Sequence, residues 1–338
     1  MWSVGSDARS AQAPEIDVLT EKGAGVSSNY ISYEKAIDLM SWEQAVAALR
    51  AGHLRPRAQI ADIFLGPQTA TLLNRAAFID GFGYGVKAVT VMDGNSDRGL
   101  PTVQGAMMVY EPETGGLSAI IESRLITEIK TSSDSVLGAQ LLARADSKRL
   151  LIVGGGPIAE SLVRAYLAIF PGLEQIAIWA RRREQAQAIA ARSTDLDVAV
   201  VVADDLATFA AGADIVSTAT MAREPVLKGE WISPGTHVDL IGAFKSDMRE
   251  ADDDLISKGS LFVDSRETTI HHIGELMIPL AAGVIHEADI KADFYDLIAM
   301  SHSARISDEE ITIFKNGGGA HLDLMIANYI AKVVGESA

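Results

Sequence analysis

The clearest chemistry lies in Gly154-Gly155-Gly156-Pro157-Ile158-Ala159, which has the spacing G-x-G-x-x-A. The turn follows the apolar run RLLIV and opens the helical pattern PIAESLVRAYLAIF. In that context such a turn cradles a dinucleotide pyrophosphate. Gly154 permits the turn, Gly156 lets backbone approach the phosphates, and Ala159 lets helix and strand pack closely. Pro157 and Ile158 begin a helix whose free N–H groups favour an anion. The next apolar run, QIAIWA, leads into Arg181-Arg182-Arg183, with no acid before Glu184. An NAD site normally places Asp or Glu there for the ribose 2′-hydroxyl, whereas arginine accommodates a 2′-phosphate. Residues 149–182 are therefore expected to form a strand–turn–helix–strand unit for a nicotinamide cofactor. Arg181 and Arg182 favour NADPH, with NADH still open.

Other polar residues fall beside this unit. Thr131 and Ser132 follow Lys130 on a long helical pattern, where their hydroxyls can meet cofactor phosphate or substrate. Thr218 and Thr220 close a short apolar run at the expected crevice and can meet the nicotinamide ribose. Gly318, within Gly317-Gly318-Gly319, opens the last helix and can bring backbone to the nicotinamide or substrate. His271 and His272 are adjacent in an extended or loop segment, so their side chains diverge, and no third ligand is spaced to complete a metal site. His321 and Asp323 are two apart on a helix and do not face each other. The chain has no cysteine, which excludes disulfides, thiolate nucleophiles and cysteine-bound metals.

The elements that must position these residues fall into two blocks. In the first 125 residues SYEKAIDLMSWEQAVAALRAG has helical spacing, with Ser41 and Gln44 spaced as a capping box. The runs AQIADIFLG, TATLLNRAAF, YGVKAVTVM, VQGAMMVYE and LSAIIE follow, with turns at DGNSDRGLP and EPETGG, and suit a largely antiparallel sheet. From Leu125 a long helix precedes alternating strands and helices. There the short runs VAVVVA, ADIVSTA, HVDLIGA and LFVDS belong to a parallel sheet buried on both faces. The expected fold is α/β, a Rossmann-type doubly wound parallel sheet with a second α+β domain built from both chain ends. Residues 126–311 form the first of these; 29–125 with 312–338 form the second, since ITIFKNGGGAHLDLMIANYIAKVV comes after the parallel region. Residues 1–28 are expected to be a flexible extension. A formal charge of −16 argues against a nucleic-acid partner. No signal peptide or membrane-length apolar run is evident, which suits a soluble cytoplasmic protein. An anionic substrate would need a local basic pocket set against the overall field.

Beyond about residue 30 the chain resembles the ornithine cyclodeaminase / mu-crystallin family. The resemblance is carried by Gly85-Val86-Lys87, the turn from Asn95 to Gly99-Leu100-Pro101, Lys130 to Ser135, and the Gly154–Ala159 turn. It continues through Ser217-Thr218-Ala219-Thr220, Gly235-Thr236-His237, Ile241-Gly242-Ala243, Arg249-Glu250, Gly274-Glu275-Leu276, Ile311-Thr312 and Phe314-Lys315. It implies a homodimer joined through the first domain and the C-terminal helix. It also implies hydride exchange between a nicotinamide and a carbon bonded to nitrogen and a carboxylate. Lys87 matches the family's substrate lysine, suited to pairing with the carboxylate or relaying a proton. Arg57 matches the family's carboxylate clamp, at a spacing from Lys87 that leaves Arg55 as a competitor. Lys130 stands where most members have Arg in an Arg-Thr-Ala-Ala stretch. Arg75 replaces a Pro beside Met, either to meet a second polar group of the substrate or to cap a turn.

Phe244 stands where cyclodeaminating members carry an Asp. A phenyl ring neither holds an ammonium nor moves a proton, and Phe244 is assigned instead to the wall of the cofactor crevice. Asp247, in the following loop, is the nearest substitute. The resemblance therefore implies an imine reductase converting Δ1-pyrroline-2-carboxylate or Δ1-piperideine-2-carboxylate to L-proline or L-pipecolate. The alternatives are an open-chain imino-acid reductase or alanine-type dehydrogenase, an ornithine cyclodeaminase, and a non-catalytic NADPH-dependent binding protein.

Overall fold

The computed structural model describes residues 30–337, so the expected N-terminal extension lies outside the described residues. Strands β1 (Tyr30–Ile31), β2 (Gln59–Leu65), β3 (Ala70–Ile79), β4 (Gly83–Met92), β5 (Val103–Tyr110) and β6 (Leu117–Glu122) form one sheet, in the order β1-β6-β5-β4-β3-β2. Strands β2 to β6 are antiparallel neighbours, and β1 adds in parallel to β6. Side chains alternate between faces along a strand. Gly83, Gly85, Lys87 and Val89 of β4 are thus buried, while Tyr84, Val86, Ala88 and Thr90 look the other way.

Helices α1 (Tyr33–Ala36), α2 (Trp42–His53) and α3 (Ser123–Leu142) precede the second sheet. The single helix expected over 32–52 is split between α1 and α2. Ser41 takes an extended conformation so that its Oγ can accept from the Gln44 N–H at 3.2 Å, and its own N–H donates to Tyr329 Oη. A capping side chain needs that non-helical backbone, so the cap that starts α2 also ends what precedes it.

The second sheet comprises β7 (Arg149–Val153), β8 (Gln175–Trp179), β9 (Ala199–Val202), β10 (Ile215–Thr218), β11 (His237–Leu240), β12 (Ser260–Val263), β13 (Ile290–Ala292) and β14 (Thr312–Lys315). Its order is β13-β12-β14-β11-β10-β7-β8-β9, with every pairing parallel. The helices of this half are α4 (Pro157–Ile169), α5 (Arg183–Ala191), α6 (Leu206–Gly212), α7 (Asp253–Lys258), α8 (Arg266–Thr269), α9 (Gly274–Ala281), α10 (Phe294–Ala299) and α11 (Ala320–Ser337). The chain leaves β7 towards β8 and β9, then resumes on its other side at β10. The point between β7 and β10 is where such sheets bind their ligands.

One expected boundary moves. Strand β14, assigned from sequence to the α+β domain built from both chain ends, lies between β11 and β12, with all four residues buried. Its apolar residues run without alternation, as a strand covered on both faces requires. Only α11 crosses over, packing against β3 and β4. Helix α3 touches both halves, and a Cβ on its Gly138 would meet the Phe314 ring of β14 at 2.7 Å. Among the described residues no helix is long and apolar enough to cross a membrane.

Candidate active site

The glycine turn lies at the end of β7, beside the end of β10. A Cβ on Gly154 would meet the Ala219 carbonyl oxygen at 2.7 Å, and one on Gly155 would meet Gln185 Cβ at the same distance. At Gly156 nothing lies within 4 Å of that position. Gly156 caps α4, Pro157 occupies its first turn, and Ala159 is buried against the strand. Two glycines are thus set by close packing and the third by open space in front of a helix N-terminus. That cradle fits a pyrophosphate. Arg181 and Arg182 follow β8, exposed and in no ion pair among the described residues, whereas Arg183 pairs with Asp204.

The two threonines assigned to the ribose are otherwise engaged. Thr218 is fully buried, its hydroxyl 3.5 Å from the Asp239 carbonyl. Thr220 donates from both N–H and Oγ1 to Glu250 Oε1, each at 2.7 Å, and the Gly242 N–H donates to Glu250 Oε2 at 2.6 Å. Glu250 therefore ties together the loops that follow β10 and β11. Thr131 and Ser132 are buried in α3, and the Thr131 carbonyl accepts from Asn316 Nδ2. Phe244 is 47% exposed on the loop after β11. The neighbouring Lys245 ammonium lies 3.6 Å from Asp93, so this loop reaches the turn after β4. Asp247 is held at 2.9 Å by Arg223, which belongs to the loop after β10.

Across the crevice, three cations come together. Asp62 of β2, Arg75 of β3 and Lys87 of β4 lie side by side in register on the helix-covered face. Arg75 donates to Asp62 Oδ2 from Nε and Nη2, at 3.0 and 2.8 Å. It lies in the middle of a strand, which removes the turn-cap reading. Lys87 Nζ meets Asp323 of α11 at 2.8 and 2.7 Å. Lys130 reaches in from α3. A Cβ on Gly318 would lie 2.7 Å from Lys130 Nζ and 3.9 Å from the Arg75 guanidinium. Gly318 has φ +71° and leaves that space clear.

Arg57 is not part of this cluster. Its side chain is 57% exposed, it donates to both oxygens of Asp293 at 2.9 and 3.3 Å, and it stacks over Tyr295. Arg55 lies over the Phe82 ring instead. The guanidinium beside Lys87 is supplied by Arg75.

Burial pushes the Lys87 ammonium below the usual lysine range; the Asp323 carboxylate opposes that shift, and Arg75 and Lys130 add to it. Three acids went unassigned in the sequence: Asp62, Asp323 and Asp264. Asp323 had one signal, a single acid within the apolar stretch LDLMIANYI. Asp264 had none, because what it binds is backbone. Its Oδ2 accepts from the N–H groups of Gly317 and Gly318 at 2.9 and 2.5 Å.

The model of the ornithine cyclodeaminase/mu-crystallin family matches residues 75–337. The Delta(1)-pyrroline-2-carboxylate reductase of Paracoccus denitrificans (strain Pd 1222) is 57% identical over 305 residues, 90% of this chain and 96% of that relative. The structure of Thermococcus litoralis Delta(1)-pyrroline-2-carboxylate reductase in complex with NADH and L-proline is similar with a TM-score of 0.86. The identity is 27%, over 91% of this chain and 98% of that one. An archaeal alanine dehydrogenase dimer with bound NAD has a TM-score of 0.85 at 28% identity, over 92% of this chain and 97% of that one. The chain belongs to the ornithine cyclodeaminase/mu-crystallin family.

Replacing Asp323 by Asn removes the carboxylate that supports the charge on Lys87. The Lys87 pKa should then fall further below the usual lysine range, as read by NMR titration of labelled lysine side chains. An unchanged Lys87 titration would show that Asp323 does not set its charge.

Proposed function

We propose that this chain reduces Δ1-pyrroline-2-carboxylate to L-proline, with Δ1-piperideine-2-carboxylate, giving L-pipecolate, as the six-membered alternative. It is a nicotinamide-dependent oxidoreductase acting on a carbon–nitrogen double bond. The observation that carries the substrate reading is the convergence of Arg75, Lys87 and Lys130 around Gly318. Three cations face one buried space there, with Arg75 and Lys87 each held beside an acid, an arrangement that suits one carboxylate. The bound cofactor supplies the hydride. Arg75 and Lys87 hold the carboxylate and present the imine carbon, while Lys130 faces the same space from α3. The reading is further supported by the activity of the Paracoccus relative and by the NADH and L-proline bound to the Thermococcus one. Cyclodeamination is disfavoured because Phe244 offers no carboxylate and Asp247 is held by Arg223.

The cofactor reading is NADPH, resting on Arg181 and Arg182 where an NAD site would carry an acid. The assembly reading is a homodimer. The helices cover one face of the antiparallel sheet. The other face presents Ile63, Leu65, Leu72, Val86, Met108 and Ile120, none of them fully buried. An apolar face of that kind marks an interface, and the archaeal alanine dehydrogenase relative is a dimer.

Cofactor oxidation followed spectrophotometrically should be fastest with the two cyclic imines and slow with 2-oxo acids plus ammonia or methylamine. The reverse ranking would replace this reading with an open-chain one. Lys87→Met should abolish reduction while leaving cofactor affinity within about twofold of wild type; near-normal turnover would remove Lys87 from the site. Arg182→Asp should move the preference from NADPH towards NADH, and an unchanged ratio of kcat/KM values would separate Arg182 from the 2′-phosphate. Met108→Asp should halve the mass observed in sedimentation, whereas an intact dimer would place the interface elsewhere.

A further inference from the structure

Helix α3 buries six polar residues in succession, Lys130-Thr131-Ser132-Ser133-Asp134-Ser135. Burying such a run is costly unless its polar atoms find partners. Ser135 has two, donating to Asp239 and accepting from Asn316. Ser132 Oγ and Ser133 Oγ have none among the described residues, and Asp134 is the one acid so placed in the run. Fully buried, neither of its oxygens receives an N–H or O–H from another described residue, and the group it meets is the carboxyl of Asp264.

Asp264 already has all the donors it needs to be a carboxylate. Its Oδ1 accepts from the Ser265 N–H at 2.7 Å and Thr269 Oγ1 at 2.8 Å, and its Oδ2 from Gly317 and Gly318. A second bare carboxylate against it would be repelled, and two carboxylates sharing a site are relieved when one takes a proton. Burial and then the Asp264 charge accordingly hold the Asp134 carboxyl well above the usual carboxylate range. The remaining charges facing it are Lys130, 4.0 Å away on the same helix, and Asp239 on β11. Lys315 of β14 lies behind Asp264 and Asp239, donating to the carbonyls of Leu240, Ile241 and Asn316.

We propose that Asp134 and Asp264 share one proton, and that this acid pair resupplies, through Lys130, the proton that imine reduction consumes. The inference rests on the imine-reductase reading above. As the imine carbon takes a hydride, an N–H bond forms on the imine nitrogen and an Nζ–H bond of Lys130 breaks. The O–H bond of Asp134 then breaks to restore the Lys130 ammonium. Both carboxylates stay bare until solvent returns one proton. Each turnover thus places one hydride and one proton on the substrate and leaves the cofactor oxidised. Asp134 acts through Lys130 and does not touch the substrate.

Asp134→Asn keeps a hydrogen-bond donor for Asp264 but has no proton to release. It should lower kcat on Δ1-pyrroline-2-carboxylate at least roughly tenfold, the range of a lost proton transfer. The loss should deepen as pH rises, and the solvent deuterium isotope effect on kcat should grow, while cofactor affinity and unfolding midpoint stay near wild type. Lys130→Arg, which keeps the charge but does not release it, should likewise lose kcat with little change in KM. In wild-type protein carrying labelled aspartate, one carboxyl signal should remain protonated at neutral pH. A wild-type pH profile in Asp134→Asn would overturn the relay, and the absence of that protonated carboxyl would overturn the shared proton. If Asp134→Asn does not fold, Lys130→Arg and the wild-type spectrum decide. A wild-type enzyme inert towards every imine would sink the functional reading and the relay together, with the spectrum still deciding the shared proton.

Discussion

Lys87 carries an ammonium into a space that water scarcely reaches, and such a charge must bring its counter-charge with it. The partner, Asp323, lies 236 residues further along the chain. The pair fastens β4 to α11, and α11 follows directly from β14 in the middle of the parallel sheet. One buried ion pair thereby joins the two halves of the fold beside the space proposed for the substrate. Removing one partner from such a pair typically costs about 3–5 kcal/mol, because the other charge is left buried alone. The segment between β14 and α11 must follow the same constraint. Gly317 and Gly318 turn their N–H groups onto Asp264, and the missing side chain at Gly318 leaves room for Lys130.

The cofactor side is organised by carboxylates that bind backbone. Glu250 accepts from Thr220 and Gly242, which fixes the two loops at the crevice edge relative to each other. Glu275 in turn accepts from the N–H groups of Glu250 and Ala251 at 2.8 and 2.9 Å. Buried acids here act as rivets between loops. They explain how a chain of net charge −16 still presents a cationic site. Many of its negative charges lie on the exterior or are bound to N–H groups, and the local cations govern the field over the few ångströms that matter.

Much of the fold was legible in the chain. Each of the five runs in the first block became a strand within a residue or two, and the Gly154–Ala159 turn lies where its flanks required. Residue period and turn stereochemistry are nearest-neighbour properties, so a linear reading captures them. The split between α1 and α2 was signalled by Ser41 itself, although helical spacing ran on through it. Lys87 and Lys130 were found through family motifs, and the structure brings them together.

What the sequence determined by itself was the type of many elements, the glycine turn and the residue types available for an anionic substrate. Only tertiary structure decided which of those residues meet. Arg57, just before β2, and Arg75, on β3, both offer a guanidinium group for a carboxylate. One is taken by Asp293 and the other lies beside Lys87, a choice set by strand register and by α10 rather than by either residue's neighbours. Thr220 looks free in the sequence and is claimed by Glu250, thirty residues away. The non-alternating pattern of β14 suits a strand covered on both faces, but its slot between β11 and β12 is set only by the folded sheet. Pairing of charges and insertion of strands depend on contacts between distant segments, and their energies exist only once the chain has brought those segments together.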